Sequence, residues 1–178
     1  GRQFVTGETI ADAIVNGRDN LKRGYRYSYD MLGEAALTAV DARRYLESYR
    51  HAIAVIGASA GEVSETSDVR TRPGISIKLS ALHPRYARAT RLRVMSELLP
   101  IVKGLALSAK QYDIGLNIDA EESERLDLSL DLLEALAEDR ELDDWSGLGF
   151  VIQAYQKRAA AAIDFVAELS RRTGGSAQ

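Results

Sequence analysis

A small set of polar residues falls near the ends of short, β-rich runs, and their types limit what chemistry they can perform. Asp30, Lys78, Asp119 and Gln153 close those runs, and Glu34, Glu121 and Glu122 lie just beyond. Lys78 is the most informative. An inward-facing lysine pays a desolvation cost unless a carboxylate or an anionic ligand offsets it. Three chemical roles suit it: a Schiff base with a carbonyl substrate, a general base if its pKa is depressed, or a fixed positive charge for a substrate carboxylate. An ion pair with Asp119 that only braces the fold fits the same pattern. The run Asp119-Ala120-Glu121-Glu122 is a poor metal site. Hard cations want several oxygen ligands, whereas along an extended strand Glu122 points away from Asp119 and Glu121. His83 in a loop and His51 on a helix read as structural or surface residues. Gly147-Leu148-Gly149 lacks the remaining glycine and the following helix of a dinucleotide fingerprint, and there is no P-loop and no nucleophile elbow.

The elements that must position this set repeat one grammar. Strand-like runs at Tyr25–Met31, Ile75–Ser80, Gly115–Ala120 and Phe150–Tyr155 are each followed by a helical pattern. The helices are expected at 40–58, 88–112, 124–136 and 157–172. Their apolar stripes are Ala42, Tyr45, Leu46, Tyr49, Ile53 and Ile56 in the first and Val94, Leu98, Val102 and Leu105 in the second. The third is rich in leucine, and the fourth carries Ile163, Val166 and Leu169. Thr38 and Asp41 are spaced to cap the first helix reciprocally. Residues 17–24 read as a polar helix end or loop, 57–73 as an exposed loop and 173–178 as a frayed tail. Strand and helix alternating four times predicts βαβ units around a parallel sheet. Within the strands, Tyr27, Tyr29 and Met31 oppose Ser28 and Asp30. Ile75, Ile77 and Leu79 oppose Ser76, Lys78 and Ser80. Leu116, Ile118 and Ala120 oppose Asn117 and Asp119, and Phe150, Ile152 and Ala154 oppose Val151, Gln153 and Tyr155. A doubly wound sheet would show nearly continuous apolar strands. One apolar face and one polar face with its polar residues at the strand ends fit a barrel with a polar mouth.

Composition narrows the function further. A net charge of -3, with 46% hydrophobic and 28% charged residues, describes an ordinary globular chain. Scattered Lys and Arg argue against a nucleic-acid surface, and the run Arg85–Arg93 reads as a solvated helix face. With no cysteine, disulfides, thiolate metal sites and cysteine nucleophiles are excluded. No apolar run approaches transmembrane length and no signal peptide opens the chain. The chain begins at Gly1 and not at methionine, which fits a cut within a longer protein.

The segment Ser76-Ile77-Lys78-Leu79-Ser80-Ala81-Leu82-His83-Pro84-Arg85-Tyr86 strongly resembles the second-strand motif of the proline dehydrogenase domain found in bifunctional proline utilization A proteins. Tyr27–Ala36 resembles the first strand of that domain, Asn117–Glu122 the third and Val151–Arg158 the fourth. Gly1–Val5 is similar to the stretch that leads into the barrel. The resemblance spans nearly the whole chain, and the Ala-Leu-His-Pro-Arg-Tyr run is closer to the bifunctional branch than to single-function relatives.

The resemblance implies an α/β (β/α)8 TIM barrel, here its first four β/α units: residues 1–24 as a lead-in, 25–172 as a partial barrel and 173–178 as a tail. It implies FAD as cofactor, oxidation of L-proline to Δ1-pyrroline-5-carboxylate, and electrons passed to a membrane quinone. An aldehyde dehydrogenase module in the same protein is implied too, with a place in the cytoplasm or at the inner membrane periphery. Residue by residue, Lys78 matches the lysine that binds the proline carboxylate, and Asp119 an aspartate near both that lysine and the flavin. Gln153 matches a glutamine bonded to the isoalloxazine, with Ala120 against the cofactor. Asp30 matches an aspartate near the site, and Glu34 a glutamate that pairs with a substrate-binding arginine. The family's later arginines and its Lys-Gly-Ala-Tyr-Trp motif have no counterpart after Lys157-Arg158. The expectation is therefore a fragment that binds FAD poorly, lacks proline oxidation and self-associates through open strand edges. A Schiff-base lyase built on Lys78 and a non-catalytic half-barrel are the two competing readings.

Overall fold

The structure is a computed structural model and describes residues 5–60 and 68–174. The stretch Gly1–Phe4, the middle of the expected 57–73 loop and the last part of the tail lie outside the described residues. Helix α1 (Ile10–Lys22) opens the fold, and Thr9 and Asp12 cap each other at its start. Strands β1 (Ser28–Asp30), β2 (Gly74–Ile77), β3 (Gly115–Ile118) and β4 (Leu148–Phe150) follow in turn. Between them run α2 (Ala39–Ala60), α3 (Leu79–Leu82), α4 (Arg91–Glu97), α5 (Leu99–Gln111) and α6 (Leu126–Ala137), and α7 (Ala159–Arg172) closes the series.

The sheet is parallel throughout, in the order β1-β2-β3-β4. Every connection advances one strand in the same direction through helix, and the helices α2, α5 and α6 share one core with the sheet. Register makes the two faces chemically distinct. Tyr29, Ile75, Leu116 and Leu148 form one row, and Ile77, Ile118 and Phe150 the next. These residues join the core with Tyr49, Ile53 and Ile56 of α2, Val102 and Leu105 of α5, and Leu128, Leu132 and Leu136 of α6. On the opposite face Asp30, Ser76, Asn117 and Gly149 stand in one row. Ser28 Oγ lies 3.0 Å from Ser76 Oγ and accepts a 3.1 Å bond from Asn117 Nδ2.

The alternation expected of the first three strands is present, but each strand is shorter. β2 stops at Ile77, and Leu79 and Ser80 belong to α3, with Lys78 as its N-terminal flank. The fourth strand is displaced: it is Leu148–Phe150, and Gln153 and Tyr155 lie in the loop beyond it. Two glycines flanking Leu148 give poor strand propensity. A Cβ on Gly149 would lie 1.9 Å from Asn117 Oδ1, so a side chain there would force the Asn117 amide to turn.

The Thr38–Asp41 cap forms as expected, with the Thr38 amide and hydroxyl donating to Asp41 and the Asp41 amide donating to Thr38 Oγ1. The α2 helix runs on to Ala60, past the expected loop start, with Gly57 packed beneath the Tyr112 ring. The single helix expected at 88–112 is broken at Leu98, since Pro100 has no amide hydrogen for the preceding turn. Ile163 is exposed, not inward. α7 seats its small residues Ala159 and Ala162 with Leu169, so close approach decides its face and not the largest apolar side chain. Among the described residues no helix is long and apolar enough to cross a membrane.

Candidate active site

The carboxyl ends of β1, β2 and β3 converge on one ammonium. Lys78 Nζ donates to Asp30 Oδ1 and Oδ2 at 2.7 and 2.8 Å and contacts Asp119 Oδ2 at 2.9 Å. Parallel pairing places these groups together. Asp30 ends β1, and Lys78 follows β2 by one residue. Asp119 follows β3 by one residue, its amide still donating to Ile77 O at 2.9 Å. The Lys78 side chain is only 14% exposed, against 51% for Asp30 and 24% for Asp119. Burial by itself would lower the lysine pKa, but hydrogen bonds and charge from Asp30 and Asp119 outweigh it and hold the amine above the ordinary lysine range. An amine held in this way stays a cation, which suits an anchor for an anion and opposes both a nucleophile and a base. The bracing pair with Asp119 is thus present, but it is half of a two-carboxylate arrangement.

The backbone of Lys78 is fixed as well. Its amide donates to Tyr49 Oη at 3.0 Å, from a tyrosine only 2% exposed on α2. Burial raises the Tyr49 hydroxyl pKa to about 12, against the opposing pull of the Lys78 amide. Sequence reading placed Tyr49 only in the apolar stripe of its helix, because nothing in a periodic pattern reports a hydroxyl reaching a strand end.

Beyond the lysine, Ala120 and Gln153 line a hollow with Glu34, Glu121, Glu122 and Tyr155. Gln153 Oε1 accepts from Tyr155 Oη at 3.2 Å and from Gln156 Nε2. With its oxygen engaged in this way, the Gln153 amide presents its NH2 as donor. Glu34 is exposed on the β1–α2 loop and has no ion-pair partner among the described residues. Glu121 lines the hollow with its carboxylate engaged: Oε1 accepts from the Ser80 amide at 3.0 Å, and Oε2 pairs with Arg125 Nη1 at 2.9 Å. His83 is structural. Its Nδ1 accepts from the Arg85 amide at 3.2 Å, which leaves Nε2 to donate to Glu97 at 3.1 Å.

A planar, heteroatom-edged cofactor fits this end of the sheet on two observations. Ala120 offers a floor without bulk, and Gln153 brings a side-chain amide to the same hollow. Gln153 and Ala120 would hold such a ring.

Comparison with known proteins places the chain in a family. The model of the family described as proline dehydrogenase matches residues 13–177. The bifunctional protein PutA of Escherichia coli (strain K12) is 60% identical over 173 residues, which cover 97% of this chain and 13% of that protein. Proline dehydrogenase 1 of Bacillus subtilis (strain 168) is 27% identical over 162 residues, covering 91% of this chain and 46% of that protein. The crystal structure of a mutant of Bradyrhizobium japonicum proline utilization A superposes with a TM-score of 0.79 at 50% identity, over 94% of this chain and 17% of that one. The chain thus spans about an eighth of the bifunctional relatives it matches and belongs to the proline dehydrogenase family.

Proposed function

We propose that residues 25–172 form the first four β/α units of a (β/α)8 barrel, led into by 1–24 and followed by the tail at 173–178. Within a complete enzyme they contribute to the oxidation of L-proline to Δ1-pyrroline-5-carboxylate. One observation carries the reading: a largely enclosed ammonium, held by Asp30 at 2.7 Å and Asp119 at 2.9 Å, at the carboxyl end of parallel strands where barrels build their sites.

The residues divide the work. Proline is a zwitterion, and Lys78 supplies the fixed cation for its carboxylate. Asp119 holds that cation in place and precedes Ala120, which with Gln153 would seat the isoalloxazine. Asp30 holds the lysine from the other side. Glu34 closes over the substrate once an arginine from the later barrel units meets it. Bound FAD supplies the hydride acceptor. If the amine reaches the site deprotonated, no strong acid or base is asked of the chain, and the main contribution of these residues is to fix the donor carbon in place. Electrons then leave for a membrane quinone. An aldehyde dehydrogenase module in the same protein consumes the product, in the cytoplasm or at the inner membrane periphery.

Substituting Lys78→Met in the full-length enzyme tests this. The expected result is intact flavin content with the proline KM raised at least about a hundredfold, as loss of a desolvated charge contact implies. Unchanged turnover overturns the reading. The isolated 178-residue chain is expected to show no dye-linked proline oxidation and little flavin absorbance; robust turnover refutes that. Borohydride trapping with a carbonyl substrate separates the Schiff-base alternative, which the raised lysine pKa disfavours.

A further inference from the structure

Ser80 uses its main-chain and side-chain groups on neighbouring loops. It is 3% exposed, in the four-residue helix that follows Lys78. Its amide donates to Glu121 Oε1 at 3.0 Å, on the loop after β3. Its hydroxyl accepts from the Ala35 amide at 3.1 Å, and its carbonyl from the Ala36 amide at 2.9 Å, both on the loop after β1. Glu34 lies on the loop after β1 and lines the hollow, and its flanks are unusual. Gly33 has φ 133° and Ala35 has φ 50°. A left-handed alanine persists only when its surroundings hold it there, and here the holding contacts come from Ser80. The partner loop is anchored in turn, since Glu121 is paired with Arg125, whose guanidinium lies 5.7 Å from the centre of the Tyr86 ring.

We infer that Ser80 is a positioning residue for Glu34: its hydroxyl clamps the strained Ala35 backbone and thereby aims the Glu34 carboxylate into the hollow lined by Ala120 and Gln153. The inference rests on the proline-oxidising reading above and assigns a residue that touches neither substrate nor cofactor.

A double-mutant cycle in the full-length enzyme tests it, with flavin content and melting temperature recorded for each variant. Ser80→Ala removes the hydroxyl and keeps both main-chain bonds. The proline KM is expected to rise about five- to tenfold with kcat nearly unchanged. In a Glu34→Gln background the same substitution is expected to change KM less than twofold, because the group it positions no longer carries charge. Ser80→Thr, which keeps the hydroxyl, is expected to restore KM. Ala35→Val, whose branched side chain is disfavoured at the left-handed φ of 50°, disturbs the same backbone from an exposed position, so it gives a second route should Ser80→Ala fold poorly. Its KM rise is again expected to vanish in Glu34→Gln. An equal KM rise in both backgrounds, or none in either, overturns the inference and leaves the functional reading standing. Absence of proline oxidation in the unmodified enzyme removes both.

Discussion

Lys78 and its two carboxylates set the first expectation. The folded-state pKa of the lysine is raised, so its pairing stabilises the fold fully below the ordinary lysine pKa. That stabilisation is lost as pH rises through the higher folded value. Urea unfolding should therefore show no contribution from Lys78 titration between pH 6 and about pH 10, and a loss of stability above it. Replacing the lysine by methionine leaves Asp30 and Asp119 facing each other. The cost should be about 1–2 kcal/mol, moderated because Asp30 is half-exposed to screening solvent. Tyr49→Phe should cost about 1–3 kcal/mol, because the Lys78 amide loses its acceptor in a buried place. Denaturant midpoints check both. Sequence pattern alone brought out Lys78 and Asp119, since period-two alternation puts them on the polar side of adjacent strands. It could not supply Tyr49 or the clamp by Ser80. A helix-face tyrosine reads as apolar, and a serine in a strand-like run reads as one more polar step.

Among the elements, the strands that alternate branched apolar residues with polar ones were legible, and so were the helices with leucine and valine stripes. β4 was not. Its sheet-facing slot is a glycine because the neighbouring Asn117 side chain occupies the space, and such cross-strand crowding has no trace in local propensity. Gly149→Ala should therefore destabilise the fold by about 1–3 kcal/mol, and Asn117→Ala should recover part of that loss by clearing the space. Thermal melts of the two single variants and the double variant decide this; additive losses would count against the crowding. α7 failed for a related reason. Alanines at 159 and 162 allow close contact, so the exposed Ile163 was a poor guide to its orientation.

At the scale of the whole molecule, β1 and β4 each pair with one neighbour among the described residues, and the face carrying Ser28, Ser76 and Asn117 is lined with hydrogen-bonding groups. Unpaired strand edges of this kind template further pairing. The isolated chain is expected to elute above its 19.5 kDa monomer mass, with a concentration dependence that sedimentation would measure; a clean monomer at all concentrations would count against it. The strand order has one more consequence. Each strand after β1 hydrogen-bonds to the one made immediately before it, so these four strands can pair in the order in which they leave the ribosome. A nascent polypeptide halted after α5 would already have β1 and β2 side by side with α2 behind them. The lysine would then meet its first carboxylate well before its second had been translated.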